Sequence, residues 1–157
     1  MEKIKDLLII GGDSRQLYMA DHLEERGFNI AVYGLPERGR KCVTELKSAV
    51  EAADAVILPL PVTRDGRYVF SIVPVKETFD EMAAMFHKDQ PIFAGMLSHS
   101  MRARLEKRCD EVYDYFERED VTVMNSVPTA QGILKTMLEN IEYTVHSSKC
   151  AVFGYGR

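Results

Sequence analysis

The stretch from Ile4 to Tyr33, IKDLLIIGGDSRQLYMADHLEERGFNIAVY, decides the fold. An apolar run from Ile4 to Ile10 meets a Gly11-Gly12 turn, an amphipathic segment follows from Ser14 to Arg26, Gly27 stops it, and Phe28 to Tyr33 is apolar again. Strand, helix, strand is the unit of a parallel sheet, because parallel neighbours need a crossover between them. Leu17, Met19, Ala20 and Leu23 fall near one face of the helical segment, and Arg15, Asp21, Glu24 and Glu25 near the other. The helix therefore has an apolar face to lay on the sheet.

Working outward, the same alternation continues. Thr44 to Ala53 is expected to be a short helix, and Asp54 to Leu58 a strand, apolar after its first residue, that Pro59 and Pro61 stop. Val62 to Val73 is expected to form a hairpin about Asp65-Gly66, a pair suited to a tight turn. Phe79, Met82, Ala83 and Phe86 recur at helical spacing, so a helix is expected over Glu77 to His87, followed by a strand from Pro91 to Ala94. Ser98 can cap a helix that runs to Arg108. Glu111 to Phe116 reads as another strand and Val121 to Met124 as a short extended piece, with a long helix from Pro128 to Ile141. The expected class is α/β: a three-layer, open, doubly wound, mainly parallel sheet of flavodoxin- or Rossmann-like plan, with the appended hairpin and a C-terminal crossover helix.

Composition narrows the function classes. Of 157 residues, 46% are apolar, enough to bury one sizeable core. The net charge of -4, with neither sign gathered in a block, gives no footprint for nucleic acid or for an anionic membrane surface. The run from Leu7 to Ile10 is too short for a membrane span. Cys42, Cys109 and Cys150 are widely spaced, which suits reduced thiols in a cytoplasmic protein. No two histidines stand at metal spacing, so no metal site is expected.

In open α/β sheets ligands sit beyond the carboxyl ends of the strands, so chemistry is sought in those turns. Gly11-Gly12-Asp13-Ser14-Arg15-Gln16 lacks the spacing of a dinucleotide turn, and Asp13 with Gln16 fits a capping box. Arg15, a cation in the first turn of a helix, opposes the helix dipole and is therefore a substrate-binding candidate, and Gly12 and Asp13 beside it are expected to touch substrate too. The turn through Pro61 and Thr63 supplies a hydroxyl, and Arg64 and Arg67 supply guanidinium groups able to grip carboxylates. His99, next to Ser98, is placed for acid–base work or for a plain helix start. Asn125, Ser126 and Thr129, in the polar run around Pro128, are candidate substrate-binding residues or simple caps. Gly132 is expected to permit a close backbone approach. No catalytic base is assigned.

The last residues carry a further expectation. Lys149 to Phe153 reads as a strand entering Gly154-Tyr155-Gly156-Arg157, the first half of a dinucleotide fingerprint, with Gly154 and Gly156 as cofactor-binding glycines of an incomplete motif. The expected organisation is an α/β domain over 1–124, an interdomain helix and connector over 125–148, and the opening of a truncated dinucleotide-binding domain over 149–157.

Six blocks in order, G-G-D-S-R-Q (11–16), V-I-L-P (56–59), F-E-R-E-D (116–120), N-S-V-P-T-A-Q-G (125–132), Y-T-V-H-S-S (143–148) and V-F-G-Y-G-R (152–157), resemble the family of dipicolinate synthase A-type subunits, in its N-terminal domain. The resemblance implies an NAD(P)-dependent oxidoreductase of spore-forming bacteria, working in the mother-cell cytoplasm. Such an enzyme oxidises a dihydrodipicolinate-level precursor to pyridine-2,6-dicarboxylate, and pairs with the flavoprotein-like B-type subunit of dipicolinate synthase. It implies that the present residues are the substrate-side domain, that arginines hold a small cyclic dicarboxylate, and that this chain alone binds no NAD(P) and is inactive. A homodimer is compatible with it. Two other readings remain: a dehydrogenase of the same architecture acting on another small carboxylate, and a stand-alone α/β binding or regulatory module.

Overall fold

In the computed structural model, which describes residues 4–39 and 41–153, the first unit of structure is the one the opening stretch predicts. Strand β1 is Asp6–Ile10, helix α1 is Ser14–Glu25 and strand β2 is Asn29–Tyr33. The chain continues through β3 (Lys41–Cys42), α2 (Leu46–Ala52), β4 (Ala55–Ile57), α3 (Phe79–Ala83), β5 (Ile92–Ala94), α4 (His99–Glu106), β6 (Val112–Asp114) and α5 (Glu119–Asn140). The six strands among the described residues lie in the order β3-β2-β1-β4-β5-β6, and every neighbouring pair is parallel.

That order is the Rossmann one. After β1 the chain winds outward to β2 and β3, then returns to the other side of β1 as β4. The reversal opens a crevice beyond the carboxyl ends of β1 and β4, where ligands bind in such sheets.

Burial explains why β1 sits at the centre. Its alternate residues feed two cores: Leu7 and Ile9 pack with Leu17 and Ala20 of α1 and with Ile30, Val32 and Ile57. Leu8 and Ile10 pack on the other face with Leu46 and Val50 of α2, Phe79 and Met82 of α3, and Met101 and Leu105 of α4. Each fully buried side chain of this size stabilises the fold by about 1.5–3 kcal/mol. The helix starts are capped as the sequence suggests: Asp13 and Gln16 form a capping box on α1, and Ser98 caps α4. Thr78 and Glu81 form a second capping box, on α3. Buried Gln90 donates from Nε2 to the carbonyls of Val50 and Ala53, at 2.9 and 2.6 Å, and so satisfies the end of α2.

The chain divides into two compact units, residues 1–116 and 117–157. The six-stranded sheet and both cores belong to the first. In the second, α5 is a continuous helix from Glu119, so Val121 to Met124 is helical rather than extended, and Pro128 lies inside the helix rather than at its first turn. Glu119 and Asp120 supply negative charge in the first turn, which favours a helix start there over one at Pro128. The position expected to divide the domains, after Met124, falls within α5. Residues 149–153 form no strand. A parallel strand is stable only with a partner, and those residues have none among the described ones.

Between β4 and α3 the expected hairpin is reduced to isolated bridges: Thr63 pairs antiparallel with Val69 about the Asp65-Gly66 turn and Tyr68 with Thr78, while Ser71 pairs in parallel with Gly12 where the segment crosses the sheet's carboxyl edge. The Glu77-to-His87 helix shortens to Phe79–Ala83: Thr78 caps its start, and past Ala83 the amides of Met85 and Phe86 bond only three residues back, to the carbonyls of Met82 and Ala83.

Candidate functional site

At the carboxyl end of β1, Gly11 and Gly12 adopt φ angles of 69° and 103°, which side-chain-bearing residues rarely hold. They need that freedom because the chain from Val69 to Ile72 runs directly over them. The Gly12 amide donates to the Phe70 carbonyl at 2.6 Å, and the Ile72 amide to the Gly12 carbonyl at 3.0 Å. A Cβ on Gly11 would stand 2.5 Å from the Phe70 oxygen. The strap continues across β2: Ser71 Oγ donates to the Gly34 carbonyl, and Tyr33 Oη donates to Glu77 Oε2 at 2.5 Å.

The strap determines which ligand the turn can accept. A pyrophosphate at a βα turn needs open glycine backbone and free amides at the helix start. Here the Gly12 amide is taken by Phe70, the Asp13 amide donates to Gln16 Oε1 at 2.9 Å, and the Arg15 amide donates to Asp13 Oδ1 at 2.9 Å. The Asp13 carboxylate also places its negative charge on the positive end of the helix dipole. The residues at this turn do not fit a dinucleotide.

They fit a smaller anion at a side chain. Arg15 projects from the first turn of α1, half exposed, and its Nη2 donates 2.8 Å to the carbonyl of Leu60 in the turn after β4. Arg15 thus spans the crevice between β1 and β4. Its Nε and Nη2 also hold the Asp13 carboxylate, at 3.0 Å each. The hydrogen bond from Arg15 holds the Asp13 carboxyl below the usual carboxylate range against the opposing effect of burial, and Arg64 adds a smaller pull in the same direction. The Arg15 guanidinium is correspondingly raised above its ordinary value, first by that bond.

Arg64 lies over the ring of Phe70, its guanidinium carbon 3.8 Å from the centroid, so the residue whose carbonyl seals Gly12 also carries the second cation. Pro61 is half-buried, and Leu60-Pro61 is a cis peptide. The Thr63 hydroxyl accepts the Gly66 amide at 2.7 Å and helps to close the turn. Arg67 stacks on Tyr68 at 5.3 Å. From the far side, Tyr115 Oη donates to the Leu58 carbonyl at 3.1 Å, and the Tyr115 ring lies where a Cβ on Gly95 would be, 2.8 Å away. Burial is the main reason that the Tyr115 phenol is pushed up to about 12; the Asp114 charge adds to it and the Arg15 charge opposes it. Buried Asp114 accepts the amides of Met96, Leu97 and Phe116, at 3.1, 2.7 and 2.9 Å, and fixes the turn after β5.

The structure thus brings Gly12, Asp13, Arg15, Pro61, Thr63 and Arg64 to the β1 and β4 turns. His99 is the exposed first residue of α4, capped by Ser98. Asn125, Ser126 and Thr129 are not at a helix start: Ser126 Oγ donates to the Val123 carbonyl at 2.6 Å and Thr129 Oγ1 to the Asn125 carbonyl at 2.9 Å, as hydroxyls within a helix do. Around Gly132 an added Cβ meets nothing within 4 Å, so no close approach among the described residues explains that glycine. Gly154 and Gly156 lie outside the described residues. Sequence reasoning missed the Leu60 carbonyl, the Arg64–Phe70 stack and the Tyr115 wedge. Only their position after strand ends pointed to them. Among the described residues no cluster of metal-ligating side chains occurs and no helix is long and apolar enough to cross a membrane.

Fold and crevice together define a Rossmann-ordered α/β domain whose switch point carries a braced arginine where a dinucleotide-binding domain keeps an open glycine turn. The chain belongs to the family of dipicolinate synthase A-type subunits: the family's model of their N-terminal domain matches residues 6–116. The A-type subunit of dipicolinate synthase from Bacillus subtilis is 26% identical over 161 aligned positions, covering 96% of this chain and 53% of that protein. The crystal structure of the Bacillus subtilis dipicolinate synthase A chain superposes with a TM-score of 0.65 at 25% identity, over 94% of this chain and 52% of that one. The crystal structure of the corresponding dipicolinate synthase chain from Bacillus halodurans gives a TM-score of 0.69 at 23% identity, over 90% and 51%, a likeness of fold. The chain spans about half the length of the curated relative that it matches.

Proposed function

We propose that this chain is the substrate-side half of an NAD(P)-dependent oxidoreductase that forms pyridine-2,6-dicarboxylate from a dihydrodipicolinate-level precursor, in sporulation and in the cytoplasm, with the B-type subunit of dipicolinate synthase for its partner. The observation that carries the reading is Arg15. It stands at the switch-point crevice, braced by Asp13 and the Leu60 carbonyl, with Arg64 close enough to act on the same Asp13 carboxylate. Two guanidinium groups at a crevice suit a small dicarboxylate, since each matches a carboxylate by charge and hydrogen-bond geometry. Membership of the dipicolinate synthase family supplies the choice of dicarboxylate.

The Gly11-Gly12 turn does not fit NAD(P), so this half is assigned substrate binding and orientation, and no hydride-transfer step is derived from its residues. The cofactor is assigned to the half of the longer relatives that this chain does not span, and the chain alone is expected to be inactive and to bind no NAD(P). Calorimetry tests both halves of the reading. Pyridine-2,6-dicarboxylate is expected to bind the wild-type chain and to lose most of its affinity in Arg15→Met, while NAD(P) gives no heat. Equal binding by Arg15→Met, or saturable NAD(P) binding by the chain, would contradict the assignment.

A further inference from the structure

Arg15 is held on one side and open on the other. Its Nε donates to Asp13 Oδ1 at 3.0 Å, and its Nη2 donates both to Asp13 Oδ2 at 3.0 Å and to the Leu60 carbonyl at 2.8 Å. These bonds use the Nε hydrogen and both hydrogens of Nη2. A guanidinium has five N–H donors in one plane, and the remaining pair, on Nη1, has no partner among the described residues.

The mount is itself fixed. The Asp13 carboxylate accepts the Arg15 amide at 2.9 Å as the N-cap of α1, and Gln16, which is buried, closes the capping box by accepting the Asp13 amide at 2.9 Å. A carboxylate tied this way stays in place when a ligand arrives. An ordinary surface arginine gives up its rotamer freedom on binding; here that freedom is given up on folding, which is how preorganisation raises affinity.

We propose that Asp13 is the positioning residue of the site: with the Leu60 carbonyl it clamps Arg15 through Nε and Nη2, so that a substrate carboxylate is taken at the open Nη1. The proposal rests on the reading of Arg15 as the substrate anchor. It departs from the expectation that Asp13 touches substrate.

Asp13→Asn separates positioning from capping, because asparagine caps a helix as well as aspartate does but offers Arg15 neither the charge nor the paired oxygens. Two readouts are taken on the whole chain: the Arg15 Nε–H resonance by 15N-edited NMR, and calorimetry with pyridine-2,6-dicarboxylate. In the wild type the Nε–H is expected to exchange slowly with solvent, and in Asp13→Asn quickly. Affinity is expected to fall about tenfold, as for loss of a charge-assisted bidentate contact, with the thermal midpoint moved by no more than about 3 °C. A wild-type Nε–H that exchanges as fast as that of the variant, or undiminished affinity in the variant, overturns the proposal. If the wild type itself does not bind, the anchor reading falls and the proposal with it, a case told apart because Arg15→Met then also changes nothing.

Discussion

A methyl group added at Gly11 meets backbone, the Phe70 carbonyl oxygen at 2.5 Å, in a residue whose φ is 69°. Neither the clash nor the dihedral has an easy escape, because the same strap is bonded to Gly12. Gly11→Ala is therefore expected to cost about 3 kcal/mol, the sum of left-handed backbone strain and a forced shift of the strap. Gly66→Ala, with φ of 74° but open space around it, is expected to cost only about 1 kcal/mol. Urea midpoints of the two variants check the contrast, and equal losses would mean that the strap yields. Phenols give a second prediction at this scale. Burial first, with the neighbouring Glu77, pushes Tyr33 up to about 12, and burial pushes Tyr115 up to about 12 as well, from an ordinary 10.0. A raised folded-state value means that the neutral phenol is favoured in the fold, so this stabilisation is whole below pH 10 and disappears as pH rises from 10 to about 12. Tyr115→Phe is expected to lower stability at neutral pH by about 1–2 kcal/mol, by leaving the buried Leu58 carbonyl unpaired, while flattening the alkaline loss. Unfolding followed by fluorescence between neutral pH and pH 12 separates the two effects.

Among the elements, α5 combines an internal proline with Gly132, and neither residue is needed for packing among the described residues. Gly132→Ala is accordingly expected to stabilise the helix by about 1 kcal/mol, seen as greater far-UV helicity and slower amide exchange over 133–140. A loss of helicity would show that the glycine accommodates a contact after all. This helix also marks how far the sequence could be read. Its start was hidden because Val121-Thr122-Val123 is β-branched and Pro128 looks like a first-turn proline, whereas Glu119 and Asp120 favour the earlier start. Strand β3, only Lys41 and Cys42, carries no periodicity and exists by pairing with Ala31 and Val32. By contrast β1, α1 and β2 were legible because their apolar spacing, the Gly turn and the Asp13–Gln16 box all point the same way. Of the crevice, Arg15 was legible as a residue that breaks the dipole rule. Its contacts were not, since the Leu60 carbonyl is a backbone atom 45 positions away and leaves no trace in side-chain identity.

For the whole molecule the deciding fact is where the cores lie. Every residue of both buried clusters belongs to residues 1–116, and α5 has no buried residue. The family match, 6–116, covers nearly the same span. A domain of this length, with two faces of a sheet filled, buries enough surface to fold by itself. A chain ended after Phe116 is therefore expected to unfold in one cooperative urea transition, with a midpoint and slope within about 15% of those of the chain through Arg157, because the slope follows the surface exposed on unfolding and most of what is buried is retained. The same shortened chain is expected to keep the slow Nε–H exchange of Arg15, since Asp13 and Leu60 both remain. A broad, non-cooperative transition would contradict the independence of residues 1–116. Loss of the protected Nε–H with the transition intact would contradict the assignment of the whole Arg15 mount to residues 1–116.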